Sequence, residues 1–171
     1  MPEQTQKIQA FVLGGRGIAS EIRADETQEI SRKFGLSLIN GSLNLISKSP
    51  VWLDTDRAIY TNGNGHFYWR ASLNGIPVIV NRWIRRCPVH IYEVFAEEHL
   101  RSRFGLVDGD AVTLEISNDI VDKERNSSAL NRLVWYLAWR GRERFAYRDG
   151  FYTGLAFHWR IYKLTGRAYQ S

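Results

Sequence analysis

Polar and apolar residues of this chain alternate over short runs, and glycine-rich turns separate the runs. Ile8 to Leu13 reads as a short strand leading into Gly14-Gly15-Arg16-Gly17. The period then lengthens from Ala24 to Phe34. There Asp25 can cap a helix, Glu26 and Glu29 favour its start, and Ile30 and Phe34 lie four apart on one face. Gly35 supplies the stop. Leu36 to Asn40 leads to Gly41-Ser42-Leu43-Asn44-Leu45, where Leu43 and Leu45 alternate as in a half-buried strand. Asn62-Gly63-Asn64-Gly65 marks a turn, and Asn74-Gly75 is a two-residue hairpin turn between arms Phe67 to Leu73 and Ile76 to Val80. Val89 to Phe95 predicts another strand, and Glu97 to Phe104 a short helix stopped by Gly105. Asp108-Gly109-Asp110 turns into a last alternating strand, Ala111 to Ile116.

Many short strands with glycine turns and only two short helices predict a mainly β fold, a small barrel. Beyond it the period changes again. Ser127 or Ser128 can cap a helix with Leu130, Leu133, Val134, Leu137 and Ala138 at helical spacing. Arg140 to Arg148 is a charged connection, and a second helix from about Asp149 carries Phe151, Leu155, Trp159 and Tyr162 on one side. The expected organisation is a barrel domain, residues 8–118, with a C-terminal helical hairpin, residues 122–171, packed on or beside it.

At 171 residues, with 44% apolar and 24% charged side chains, the balance is that of a folded globular protein. The charge is unevenly spread. Residues 1–122 carry 13 basic and 15 acidic side chains, whereas residues 123–171 carry 10 basic, 3 acidic and 11 of the 22 aromatic residues. Cys87 stands alone, which excludes an intrachain disulfide and a thiolate metal cluster. The four histidines, His66, His90, His99 and His158, show no metal-ligand spacing. No run approaches the roughly 20 apolar residues that cross a bilayer, and no apolar run follows the polar start, so a cytoplasmic location is expected.

Three segments carry candidate chemistry. The turn at Gly14-Gly15-Arg16-Gly17 can bring backbone N–H groups close to a phosphate, although such glycines also make ordinary tight turns. In an extended Gly41-Ser42-Leu43-Asn44, the Ser42 hydroxyl and Asn44 amide share one face and are hard oxygen donors suited to Mg²⁺; they also suit a solvated strand edge. Glu93 sits in an apolar strand, where a carboxylate must be solvated, paired or functional. Behind it, Glu98 to Arg101 offers backbone donors and a cation to an anion, or a solvated helix face.

The order of these segments resembles the archaeal CTP-dependent riboflavin kinases. That family has a glycine-rich turn after its first strand, a helix ending near Gly, a Gly-Thr-Leu-Asn motif and an Asn-Gly-Ile hairpin. A Pro-x4-Glu strand and a Leu-Arg helix running into Leu-x-Asp-Gly-Asp follow. Here they read Gly15-Arg16-Gly17, Phe34-Gly35, Gly41-Ser42-Leu43-Asn44, Asn74-Gly75-Ile76, Pro88 to Glu93, Leu100-Arg101 and Leu106-Val107-Asp108-Gly109-Asp110. The resemblance implies a cradle-loop β-barrel that moves a phosphoryl group from CTP to riboflavin, giving FMN and CDP with Mg²⁺. It implies that Gly15, Arg16, Gly17, Ile18 and Ala19 hold the nucleotide phosphates, with Glu98, His99, Leu100 and Arg101 also at the nucleotide. It assigns Ser42, in place of the family's threonine, and Asn44 to Mg²⁺, and Glu93 to the acceptor, where it can take the hydroxyl proton. This chain departs from the family in three places. Arg85 stands where the family has an acceptor-contacting threonine, Arg16 replaces an acidic residue, and the basic extension has no counterpart. Arg85 makes a different alcohol, an anionic one included, a competing acceptor.

The arginines and aromatics of the extension also suit nucleic acid or an anionic membrane surface, against a hairpin that packs its aromatic face on the barrel. The reading from another class is therefore a non-catalytic nucleotide- or nucleic-acid-binding module on the same barrel.

Overall fold

The computed structural model describes residues 4–13, 24–83 and 89–139. In chain order the elements are β1 (Thr5–Leu13), α1 (Ala24–Phe34), β2 (Leu43–Ser47), β3 (Tyr60–Thr61), β4 (His66–Leu73) and β5 (Ile76–Trp83). They continue with β6 (Ile91–Phe95), α2 (Leu100–Phe104), β7 (Ala111–Ser117), α3 (Lys123–Ser127) and α4 (Ala129–Trp139). The sheet runs β3-β4-β5-β6-β2-β1-β7, and β4 also pairs with β7. All pairings are antiparallel, so β4, β5, β6, β2, β1 and β7 close into a six-stranded barrel. Closure removes the open edges that a flat sheet would present.

Alternation sorts each strand into an inner and an outer face. Ile8, Ala10 and Val12 of β1, Leu43 and Leu45 of β2, Trp69 and Leu73 of β4, and Leu114 of β7 meet inside, all at most 5% exposed. The Asn74-Gly75 turn has both residues in the left-handed region, φ 48° and 84°, which suits the twist of the hairpin. The Asn74 backbone N–H donates to the Thr113 carbonyl, and the Asn74 side-chain oxygen accepts from the Thr113 N–H, each at 2.9 Å. The hairpin tip is thus tied to β7, the strand that closes the barrel.

Two helices cover parts of the outer face. Ile30 and Phe34 of α1 pack on Tyr68, Ile79 and Phe95. Trp135 of α4 packs with Ile46, Trp52, Val89 and Ile91. This cover explains a departure from expectation at β2, all five of whose residues are buried rather than only alternate ones. The helix expected from Glu97 is also shorter. Glu97 Oε1 instead accepts from the Ser37 N–H at 2.6 Å, and α2 begins at Leu100.

Ser128 Oγ accepts from the Asn131 N–H, as a capping serine does, but the buried face of α4 differs from the expected one. Leu130, Leu133 and Leu137 are 49%, 52% and 62% exposed, while Trp135 is 8% exposed. The reason lies in the preceding turn. Asn126 accepts from the Trp52 N–H and donates to the Trp52 and Asp122 carbonyls, which sets the direction of α4. The indole then reaches the buried His90 and donates Nε1–H to its Nδ1 at 2.9 Å, which satisfies the indole donor. The connection 140–148 and the helix expected from Asp149 lie outside the described residues. Among the described residues, no helix is long and apolar enough to cross a membrane.

Candidate functional site

Strand register places four polar side chains in one transverse row on the outer face of the barrel. Tyr68 of β4 opposes Asn81 of β5, Asn81 opposes Glu93 of β6, and Glu93 opposes Asn44 of β2. Asn44 in turn opposes Leu13, the last residue of β1. Neighbouring strands lie about 4.8 Å apart, so the row crosses the sheet without a gap. Apolar cover flanks it on both sides. Two residues along one way are Ile79 and Phe95 under α1; two residues along the other way are Ile46 and Ile91 under Trp135.

Ser42 precedes β2 and reaches into this row, donating its hydroxyl to Glu93 Oε1 at 2.7 Å. Leu43 and Leu45 point inward, so Ser42 and Asn44 do share the opposite face, as alternation predicts. Asn44 is 9% exposed, which rules out the solvated strand edge. Ser42, Asn44 and Glu93, far apart in sequence, thus form one cluster.

Burial raises the Glu93 carboxyl above its ordinary range; the Ser42 hydrogen bond and the charge of His66 pull it back, and the negative charge of Glu26 adds to the rise. Glu26 is bound in place, since Asn62 Nδ2 and the Tyr68 hydroxyl both donate to its Oε1, at 2.8 and 3.0 Å. The Tyr68 phenol is itself pushed upward, first by burial and then by Glu26. On the far side of Asn81, His66 stacks on Trp83 with ring centres 4.9 Å apart. The Asn81 amide nitrogen donates to the Phe67 carbonyl, so its oxygen faces His66 Nδ1 at 3.3 Å. An oxygen there is met by a proton on Nδ1, which both the neutral and the charged ring can supply.

The segment at Glu98 meets the same site from the end of β1. Arg101 Nη2 donates to the Leu13 carbonyl and to Asp108 Oδ1, each at 2.7 Å. Its guanidinium thus stands beside the register partner of Asn44, where the chain enters residues 14–19. The other three residues of that segment behave differently. Glu98 pairs with Arg103 at 3.6 Å, His99 is exposed, and the Leu100 side chain is buried in the core, so only its backbone faces outward. Gly15, Arg16, Gly17, Ile18, Ala19 and Arg85 lie outside the described residues.

Among the described residues, no three His, Cys, Asp or Glu side chains are arranged to hold a metal. A cation at this site would find the Ser42 hydroxyl and Asn44 amide oxygens, hard donors that suit Mg²⁺, beside the Glu93 carboxylate. Ser42 fits that role, because a hydroxyl that donates to Glu93 keeps its lone pairs for a cation.

No protein-family model and no curated protein matches this chain. The site stands on its own geometry.

Four of its members escaped the sequence. Asn81 follows an apolar run and lies just past the expected end of its hairpin arm, and Tyr68 reads as a β-former. His66 lacked a partner at ligand spacing, and Glu26 reads as a helix-start residue. The one available signal was Asn81, a polar residue in a strand that is otherwise apolar up to that point.

Proposed function

We propose that this chain is a CTP-dependent, Mg²⁺-requiring phosphotransferase with an alcohol acceptor, riboflavin or a related small molecule, in the manner of the archaeal riboflavin kinases it resembles. The observation that carries this reading is the 2.7 Å bond from Ser42 to Glu93 with Asn44 as the register partner of Glu93. It joins the two motif residues expected at the cation to the carboxylate expected at the acceptor. Arg101, held at Leu13 and paired with Asp108, places a guanidinium beside the end of β1.

Phosphoryl transfer asks mainly for positioning and charge neutralisation. Bound Mg²⁺ would supply neutralisation of the triphosphate oxygens. Asn44 and Ser42 are the residues that would hold it, and Glu93 keeps the Ser42 hydroxyl oriented. Glu93 also serves as proton acceptor, its raised affinity for a proton bringing it nearer to working pH. The acceptor O–H yields its proton to Glu93 as the new O–P bond forms; the bond to the departing CDP oxygen breaks and CDP keeps the electron pair.

The purified chain is to be incubated with riboflavin, Mg²⁺ and each nucleoside triphosphate in turn. FMN and CDP formed only with CTP, and lost in Asn44→Ala, is the expected result. Salt-sensitive RNA or DNA binding without any nucleotide turnover would favour the binding-module reading and overturn this one.

A further inference from the structure

The described part of the extension, residues 122–139, packs on the barrel, because Trp135 stands against the same outer face that carries Glu93. Ile46 lies two residues beyond Asn44, and Ile91 lies two residues before Glu93, on strands in register. Both isoleucines belong to the cluster that Trp135 closes. Two residues of strand span about 7 Å, so the pair Ile46–Ile91 that the indole covers lies about 7 Å along the sheet from the pair Asn44–Glu93. The placement of the ring is specific. Its Nε1–H meets His90 Nδ1 at 2.9 Å and the two rings meet edge to face at 79°. Trp52, whose backbone is bound by Asn126 of the extension, supports it from the side. On the opposite flank, α1 already supplies a wall over Ile79 and Phe95.

We infer that Trp135 forms the second wall of the Ser42–Asn44–Glu93 site, so that the extension helps to decide which acceptor fits beside Glu93. This inference rests on the phosphotransferase reading for the word acceptor. Trp135 is a specificity-determining residue here, with no part in proton or phosphoryl movement. Its removal opens space beside Glu93 while leaving Asn44, Ser42 and Arg101 in place, so it weakens acceptor selection and spares the nucleotide.

The test uses the full chain with CTP, Mg²⁺ and riboflavin, and compares Trp135→Ala, Trp135→Phe and Leu133→Ala. Leu133 lies on the outward face of α4 and serves as control. Trp135→Ala is expected to raise KM for riboflavin about tenfold or more while KM for CTP stays within about twofold. Trp135→Phe restores most of the loss, since it returns a ring without the indole N–H, and Leu133→Ala changes neither constant. Thermal melting of each variant separates a displaced wall from an unfolded chain. Unchanged riboflavin KM in a folded Trp135→Ala chain that still turns over overturns the inference alone. A wild-type chain that transfers nothing from CTP overturns the phosphotransferase reading and the inference with it.

Discussion

At the scale of single residues, Glu93 is a carboxylate whose burial works against the stability of the fold. Burial opposes its charge, so the folded state holds the carboxyl proton more tightly than the unfolded chain does. The stability linked to that proton is complete below about pH 4.3, the ordinary glutamate value, and is lost as pH rises through the raised folded value. Urea unfolding of the metal-free protein should therefore show Glu93→Gln gaining on wild type from pH 4 to pH 8, with the two closest at the acid end. On the proposed function, in which Glu93 accepts the proton, the same variant should lose about 10²- to 10⁴-fold in turnover. Ser42 offers the complementary case. Ser42→Thr keeps the hydroxyl, and on the proposed function should retain turnover within about an order of magnitude. Ser42→Ala leaves Glu93 without its donor and should fall well below that in the same CTP assay.

At the scale of elements, α4 shows why an apolar stripe and a buried face are different things. Leu130, Leu133 and Leu137 share helical spacing, yet the side chain that docks is Trp135, which combines a large ring with a donor for His90. Leu133→Gln should change unfolding free energy by less than about 0.5 kcal/mol, the usual range for a surface position. Trp135→Ala should cost about 3 kcal/mol or more, the usual price of emptying an aromatic site. Equal losses in the two variants would show that the leucine stripe is covered in solution. The hairpin behaves as its sequence predicts, for a local reason: Asn74 and Gly75 accept positive φ at small cost. Asn74→Ala also deletes the acceptor of the Thr113 N–H, and should lower thermal stability by about 2 kcal/mol.

At the scale of the whole molecule, closure of the barrel is the central event. Leu73 and Leu114 are register partners in the β4–β7 pairing that shuts it, and neither is exposed at all. Leu114→Ala should cost about 2–5 kcal/mol in chemical unfolding, since the surrounding strands cannot collapse into the space. Closure also bends the sheet so that its outer face presents the row from Tyr68 to Asn44 between α1 and α4. The barrel thus makes the candidate site on its outside wall, while its interior is a largely apolar core that also holds the buried Arg82 over Tyr92.

Much of this was legible in the chain. Residues Ala24 to Phe34 form a helix because the four-residue spacing of Ile30 and Phe34 is a local fact, and the Asn74-Gly75 hairpin forms because its backbone preference is local too. The shared face of Ser42 and Asn44 follows from alternation alone. Sequence therefore determined the barrel-type succession of strands and turns, and the face on which its candidate cation donors lie. Only the tertiary structure decided that Glu93 meets Ser42, that Asn81 and Tyr68 extend their row, and that Trp135 docks on Ile46 and Ile91 while three leucines stay exposed. Register between distant strands depends on which pairings close the barrel together, and that choice is made by the packed core as a whole rather than by any one segment.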